Sequence, residues 1–550
     1  MKRVISWQHE YVWIFFLSVI LLLCTYIPIY RNFQRAPSER FYFGAEEFPI
    51  DQIGNLAYVR QGYLGDMFAT FNYSIFLGNH PSLVKSEYIL IGHAARVLHV
   101  DPIIMFRVSQ FVLSIMYMGV VYACIRLCFT RSAIRIIAYI LVLFGTGISW
   151  PLQLFSFTDG AVYDVLVFQR MTVAMPHYLL GGICSILSLL FLSRALSHPK
   201  AYGSFIAASV TGVFASSFYA PNMVLIVSGF PIFILFDAFS KYRETRRLQW
   251  NASWVSTLIA YTIVVAIPIV YVRYIVGYYW QDLNTAKLEF LNPFKLSVYE
   301  YVLALGSTFI LSIFSIPIVI KKKSILLLLL ASWIVLHPIG EFFLSPVLHL
   351  NPIRYFLTPY FVGFGILAAV VIDEAVRRLA GIGLYTKQYG LYGVLVVLVI
   401  STGTYTYMRS FLRASRCYCH YGILDFAYPQ RSVMEGISWL QAHTKPSDIV
   451  LSGYRAGMLI PAFSGNRVYT SWWYKLIEPP SFPIVLDGLA DFYRQNRSEE
   501  DARAFIKRYN ISYIFYSDEE YMLKPSAWGL QYSFLTEVYN HDGVLIYEVR

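Results

Sequence analysis

The chain has 550 residues, of which 57% are hydrophobic, 17% aromatic and only 14% charged, and its net charge is +11. Soluble domains carry about 25% charged residues, so an ordinary soluble protein is excluded. Nucleic-acid binding is excluded too, because the basic residues do not gather into a patch; they stand in short clusters between apolar runs, where they act as topology signals.

Lys2 and Arg3 precede an uncharged stretch over 11–30 that has no small-residue cleavage site after it, which predicts a retained anchor, not a signal peptide. Further apolar runs lie at 103–127, 134–154, 172–196, 201–217, 222–239, 254–274, 302–320, 325–344, 353–372 and 391–408. They predict about eleven transmembrane helices by length and hydropathy. Alternate connections carry Lys2/Arg3, Arg126/Arg131/Arg135, Arg194/Lys200, Lys241/Arg243/Arg246/Arg247, Lys321 to Lys323 and Arg377/Arg378/Lys387. The positive-inside rule then predicts a cytoplasmic N-terminus and an extracytoplasmic C-terminus in a cell (inner) membrane.

The expected organisation is a tail and first span at 1–30, a long external loop at 31–102 and a multi-span domain at 103–410. A linker at 411–430 and a soluble α/β domain at 431–550 follow. In the loop, Glu46, Glu47, Asp51 and Asp66 crowd a membrane boundary, where carboxylates lose solvation unless something pairs with them. Pro49 is suited to a first helical residue, and Ile50, Ile53 and Ala57 recur at helical spacing. Asp51 then falls in a first turn, where the helix dipole favours its ionised form. The stretch 83–100 predicts an interfacial helix with Tyr88, Ile91, Ala95 and Leu98 on one face.

Later loops hold polar groups beside apolar spans: Asp159, Asp164 and Arg170; Asp282, Lys287 and Glu289; His337, Glu341, His349 and Arg354. His337 and Glu341, four residues apart, supply too few ligands for a metal, as does the Cys417-x-Cys419 pair. Cys24, Cys124, Cys128 and Cys184 lie in apolar spans and read as core residues. Glu46 and Glu47 leave a divalent metal open as a cofactor. In the last segment, 449–452, 467–470 and 511–516 predict strands, and 536–549 a hairpin. A helix over 498–509 starts at Ser498, with Asp501 three residues on. The glycines of SGYRAG do not make a phosphate-binding loop.

This order of tail, span, acidic first loop, many spans and external domain resembles the GT-C glycosyltransferases, which include protein O-mannosyltransferases, aminoarabinose transferases and oligosaccharyltransferases. Three pieces carry the resemblance. GAEEFPIDQIGNLAYVRQG places Asp51 where the family has its first-loop carboxylate. NHPSLVK, with His80 and Lys85, is similar to the HPPLGK-type element of mannosyltransferases but departs from it at Ser82 and Val84. NPIRYF places Arg354 where relatives hold the lipid phosphate. The resemblance implies transfer of a sugar from a polyprenyl-phosphate donor to a glycan, lipid or protein acceptor outside the cytoplasm, with inversion. Asp51 is the expected base and Arg354 the phosphate clamp. Asp159, Asp164, Glu46, Glu47, His80 and Lys85 are further candidates for substrate or lipid-phosphate contact. A glycan or lipid transporter and a non-catalytic scaffold of cell-envelope assembly are the alternatives. A transporter predicts mid-span charges and repeated halves, and no repeat is found.

Overall fold

The computed structural model describes residues 2–44, 49–76, 80–145, 175–198, 200–276, 297–348, 351, 353–381, 393, 426–477, 481–523 and 528–550. Outside these lie Glu46, Glu47, Asp159, Asp164, Arg170, Asp282, Lys287, Glu289, His349, Cys417, Cys419 and the expected span at 391–408. The chain forms two compact units: Met1–Pro28, Gln110–Tyr271 and Asn292–Ala414 make one, and Ile29–Ser109, Val272–Leu291 and Ser415–Arg550 the other.

Six helices among the described residues are long and apolar enough to cross a membrane: Glu10–Arg35, Pro102–Cys128, Pro176–Ser197, Ala220–Thr245, Ala252–Tyr274 and Ile325–Val347. Val298–Ile313 and Ile316–Lys322 add a seventh if the pair, bent by 41°, is one span. Ser132–Phe144 and Tyr202–Phe218 are apolar but shorter. The Glu10–Arg35 helix exposes Val12, Trp13, Phe15 and Phe16, which suits a lipid-facing surface. The run expected at 353–372 is not one helix. It divides into Ile353–Phe356 and Tyr360–Gly381. Pro359 explains the break, since proline cannot donate to the preceding turn and disfavours helix in the residue before it.

Two buried carboxylates of the first unit, Glu10 and Asp373, are held by partners. Glu10 accepts from Arg135 Nε at 2.6 Å and Nη2 at 2.5 Å, and also from the Tyr122 and Ser132 hydroxyls. Asp373, itself buried, pairs with Arg131 and with Arg377. These pairs fasten the Ser132–Phe144 helix to the first span, and the Arg131 turn to Tyr360–Gly381. Guanidinium and carboxylate match in a two-toothed geometry, which offsets part of the desolvation that burial demands.

In the second unit a five-stranded sheet has the order β2-β1-β3-β5-β4. The strands are β1 Ile449–Leu451, β2 Arg467–Val468, β3 Ile511–Tyr516, β4 Leu535–His541 and β5 Val544–Val549. β1 runs parallel to β2 and β3, while β5 is antiparallel to both β3 and β4. Tyr454–Phe463 links β1 to β2, and Phe482–Tyr493 and Glu499–Arg508 precede β3. The Ser498 hydroxyl accepts from the Asp501 amide, so the helix starts where the sequence signal places it.

Residues from the first loop share this unit's core. Phe41 N donates to Pro429 O, Arg431 N to Glu39 O and Val468 N to Asn72 O. Tyr42 stacks on Tyr428 at 4.8 Å, and Phe76 packs against Tyr469 at 5.1 Å.

Replacing Glu10 by Gln strands the Arg135 guanidinium in the interior. Loss of one partner of a buried pair costs about 3–5 kcal/mol. We expect a clearly lower melting temperature for purified Glu10→Gln protein in detergent, and a partial recovery in Glu10→Gln/Arg135→Met.

Candidate active site

Pro49 opens a helix that runs to Leu64, and Asp51 lies in its first turn. Every residue from Gln52 to Gly62 is buried, whereas Asp51 is half-buried. The helix is enclosed through its middle, while Tyr63 is half-buried and Leu64 exposed at its far end. Asn55 Nδ2 donates to the Asp51 carbonyl at 2.9 Å and fixes that first turn. Tyr73 O–H donates to Ile53 O at 2.9 Å, and Gln61 exchanges hydrogen bonds with the Thr70 backbone. Arg60 is sunk deeply enough that desolvation pulls its pKa down.

The second wall is the Ser86–Leu98 helix. It crosses Pro49–Leu64 at glycine on both sides: a Cβ at Gly62 would lie 2.1 Å from Ile89 O, and one at Gly92 2.1 Å from Val59 O. Only hydrogen fits either position. The buried face consists of Glu87, Tyr88, Ile89, Gly92 and Ala95, while Leu98 is 62% exposed. This corrects the face expected from sequence: the glycine contact turns the helix so that Glu87 and Ile89 face inward and Leu98 does not. Glu87 is the charged residue that pattern reading passed over. Its burial pushes the carboxyl up, with Lys85 opposing, and its charge acts on Tyr58 of the facing helix.

Lys85 stands in the left-handed region (φ 67°) just before that helix, with Nζ 5.4 Å from the Tyr88 ring centroid. His80 is exposed. The Ala69 and Ser82 backbones exchange hydrogen bonds, which holds the SLVK turn beside the loop. Asp51, His80 and Lys85 thus belong to one unit.

Arg354 belongs to the other unit. It lies in the Ile353–Phe356 turn, half-buried between neighbours that pack inward: Tyr355 and Phe356 are buried. Its amide donates to Asn351 O, and its carbonyl accepts from Tyr219 O–H at 3.0 Å. His337 is fully buried, bonded through Nδ1 to the Tyr301 hydroxyl at 2.5 Å and packed 4.2 Å from the Tyr360 ring. Glu341 is buried one turn further on, at the start of a π-helical stretch, Gly340–Leu344. Among the described residues no three His, Cys, Asp or Glu side chains converge as metal ligands.

With this geometry, the chain is similar to the apo crystal structure of the Archaeoglobus fulgidus oligosaccharyltransferase. They are 12% identical, with a TM-score of 0.51 over 92% of this chain and 69% of that one. At that identity the likeness is one of fold. The same archaeal enzyme tethered to an acceptor peptide with the NVT sequon matches at 13% identity and TM-score 0.50, covering 91% of this chain and 69% of that one. ArnT from Cupriavidus metallidurans bound to undecaprenyl phosphate is 11% identical, with TM-score 0.46 over 97% of each chain. No protein-family model matches the sequence, and no curated protein does. Asp51 lies in the first turn of the Pro49–Leu64 helix, which follows the Glu10–Arg35 span in sequence.

A carboxyl raised by burial binds its proton more tightly in the folded state. Folding stability therefore falls as pH climbs from the ordinary carboxylate range, about 4.3, towards the raised value. Glu87→Gln keeps the neutral shape. Its melting temperature relative to wild type should be higher at pH 8 than at pH 4; an equal difference at both would show that Glu87 carries no desolvation cost.

Proposed function

We propose that the chain transfers a sugar from a polyprenyl-phosphate-linked donor to a glycan, lipid or protein acceptor outside the cytoplasm. The observation that carries the reading is Asp51: a half-buried carboxylate at the N-terminal end of a helix whose middle is buried, after the first span of a fold similar to that of an oligosaccharyltransferase. A carboxylate at that end is stabilised by the helix dipole and accessible from one side, as a general base needs to be.

In the reaction, the acceptor hydroxyl attacks the anomeric carbon as Asp51 takes its proton. The bond from that carbon to the lipid-phosphate oxygen breaks, and the electron pair leaves with the phosphate. Attack opposite the leaving group inverts the anomeric centre. Arg354 is assigned to the phosphate, where a guanidinium bonds two oxygens at once as charge gathers. Asp159, Asp164, Glu46, Glu47, His80 and Lys85 are assigned to the sugar and the lipid headgroup. The positive clusters between spans support a cytoplasmic N-terminus and an extracytoplasmic segment after 431, in a cell (inner) membrane.

The test is transfer by purified protein from a polyprenyl-phosphate sugar. Asp51→Asn keeps the shape and removes the base, and should lower kcat by about 10²–10⁴-fold. A wild-type rate in Asp51→Asn would sink the assignment. Arg354→Lys keeps the charge but loses the two-toothed contact, and should cost about tenfold or more.

A further inference from the structure

The connection after β1 returns to β2, whereas β3 lies on the other side of β1. Neighbouring parallel strands whose connections leave in opposite directions make a topological switch point, and the crevice beyond their carboxyl ends is where open α/β sheets bind ligands. This chain has a cavity of about 100 Å³ there. Arg455 and Ala456 follow β1, and Ser517, Asp518 and Glu519 follow β3; Arg40 and Gln430 close the side.

In nucleotide-binding sheets such a crevice takes phosphate on the first-turn amides of the helix after β1. Here those amides are already used. Glu520 accepts from Gly453 N at 2.5 Å and Glu519 from Arg455 N at 2.9 Å. A Cβ at Gly453 would lie 2.5 Å from Glu519 Oε2, so the glycine admits the carboxylates, not a phosphate. Burial pushes both carboxyls up, and Glu520 raises Glu519 further. An anion brought to this wall meets two acidic groups.

The remaining chemistry is mixed. Arg40 and Arg455 face Asp518 and Glu519, so positive and negative groups balance. Gln430 Nε2 donates to Asp518 at 2.8 Å and sets that carboxylate in place. Phe426, Val433 and Leu459 give an apolar side. Donors and acceptors beside an apolar side match a ring of hydroxyls with a C–H face. The volume is well below the ~300–1,000 Å³ of drug-sized sites, which fits one ring and not a nucleotide.

We propose that this crevice binds a neutral sugar ring, as a subsite for the acceptor glycan separate from the reacting residues. The substrate class rests on the sugar-transfer reading above; the site itself does not need Asp51.

The experiment is equilibrium binding to the purified full-length protein in nanodiscs, followed by saturation-transfer NMR. The panel contains neutral hexose oligosaccharides, uronic-acid oligosaccharides and inorganic phosphate. A neutral oligosaccharide should bind, and Arg455→Ala, which removes an exposed side chain, should weaken it about tenfold. Val433→Trp, which fills the cavity, should weaken it further, and Asp51→Asn should leave it unchanged. Absence of neutral-sugar binding, preference for phosphate or uronate, or indifference to both crevice variants overturns the proposal. Binding without any transferase activity would sink the transfer reading and leave the site standing. Transfer without crevice binding would do the reverse.

Discussion

The second unit depends on one backbone-to-backbone contact. Where Gly62 and Gly92 face the carbonyls of Ile89 and Val59, two helices approach as closely as main chains can without a Cβ between them. That approach sinks the Pro49–Leu64 helix and buries its whole middle, with Asp51 half-buried in its first turn. A side chain at either glycine would meet a carbonyl oxygen, an atom that cannot swing aside. The orientation of Asp51 is therefore a consequence of residues eleven or more positions away in sequence.

Charge is handled in three different ways. Glu10 and Asp373 are buried against guanidinium groups, so their cost is offset by opposite charge. Glu519 and Glu520 accept from backbone amides, and Glu519 also has the Arg455 charge nearby. Glu87 has Lys85 and a backbone amide nearby, yet burial outweighs them and pushes its carboxyl up. Asp51, like Glu519, is half-buried in the first turn of a helix.

What was legible in the sequence was local. Proline at a first helical position, Asp51 two residues on, serine at the Ser498 cap and the strand at 511–516 all depend on neighbours a few residues apart. The inward turn of Glu87, the outward turn of Leu98 and the break before Tyr360 were not legible, although Pro359 was a signal for the last. Helical periodicity names a stripe, but a glycine crossing decides which side of it meets the partner. The joining of the first loop to the last segment was also hidden. Its contacts, such as Phe41 with Pro429 and Val468 with Asn72, are main-chain hydrogen bonds, which leave no mark on residue choice.

That joining sets a schedule for assembly. Tyr42 finds Tyr428, and Arg40 pairs its strand bridge with Gln430, across nearly the whole chain. Contacts so far apart in sequence form late, after the intervening loop entropy has been met. The ribosome releases the N-terminal partner long before the C-terminal one exists, so the helix that carries Asp51 waits for its final packing until synthesis is nearly complete. A protein built this way stays unfinished at its candidate site while it is being inserted, and truncated chains lack the residues that complete it.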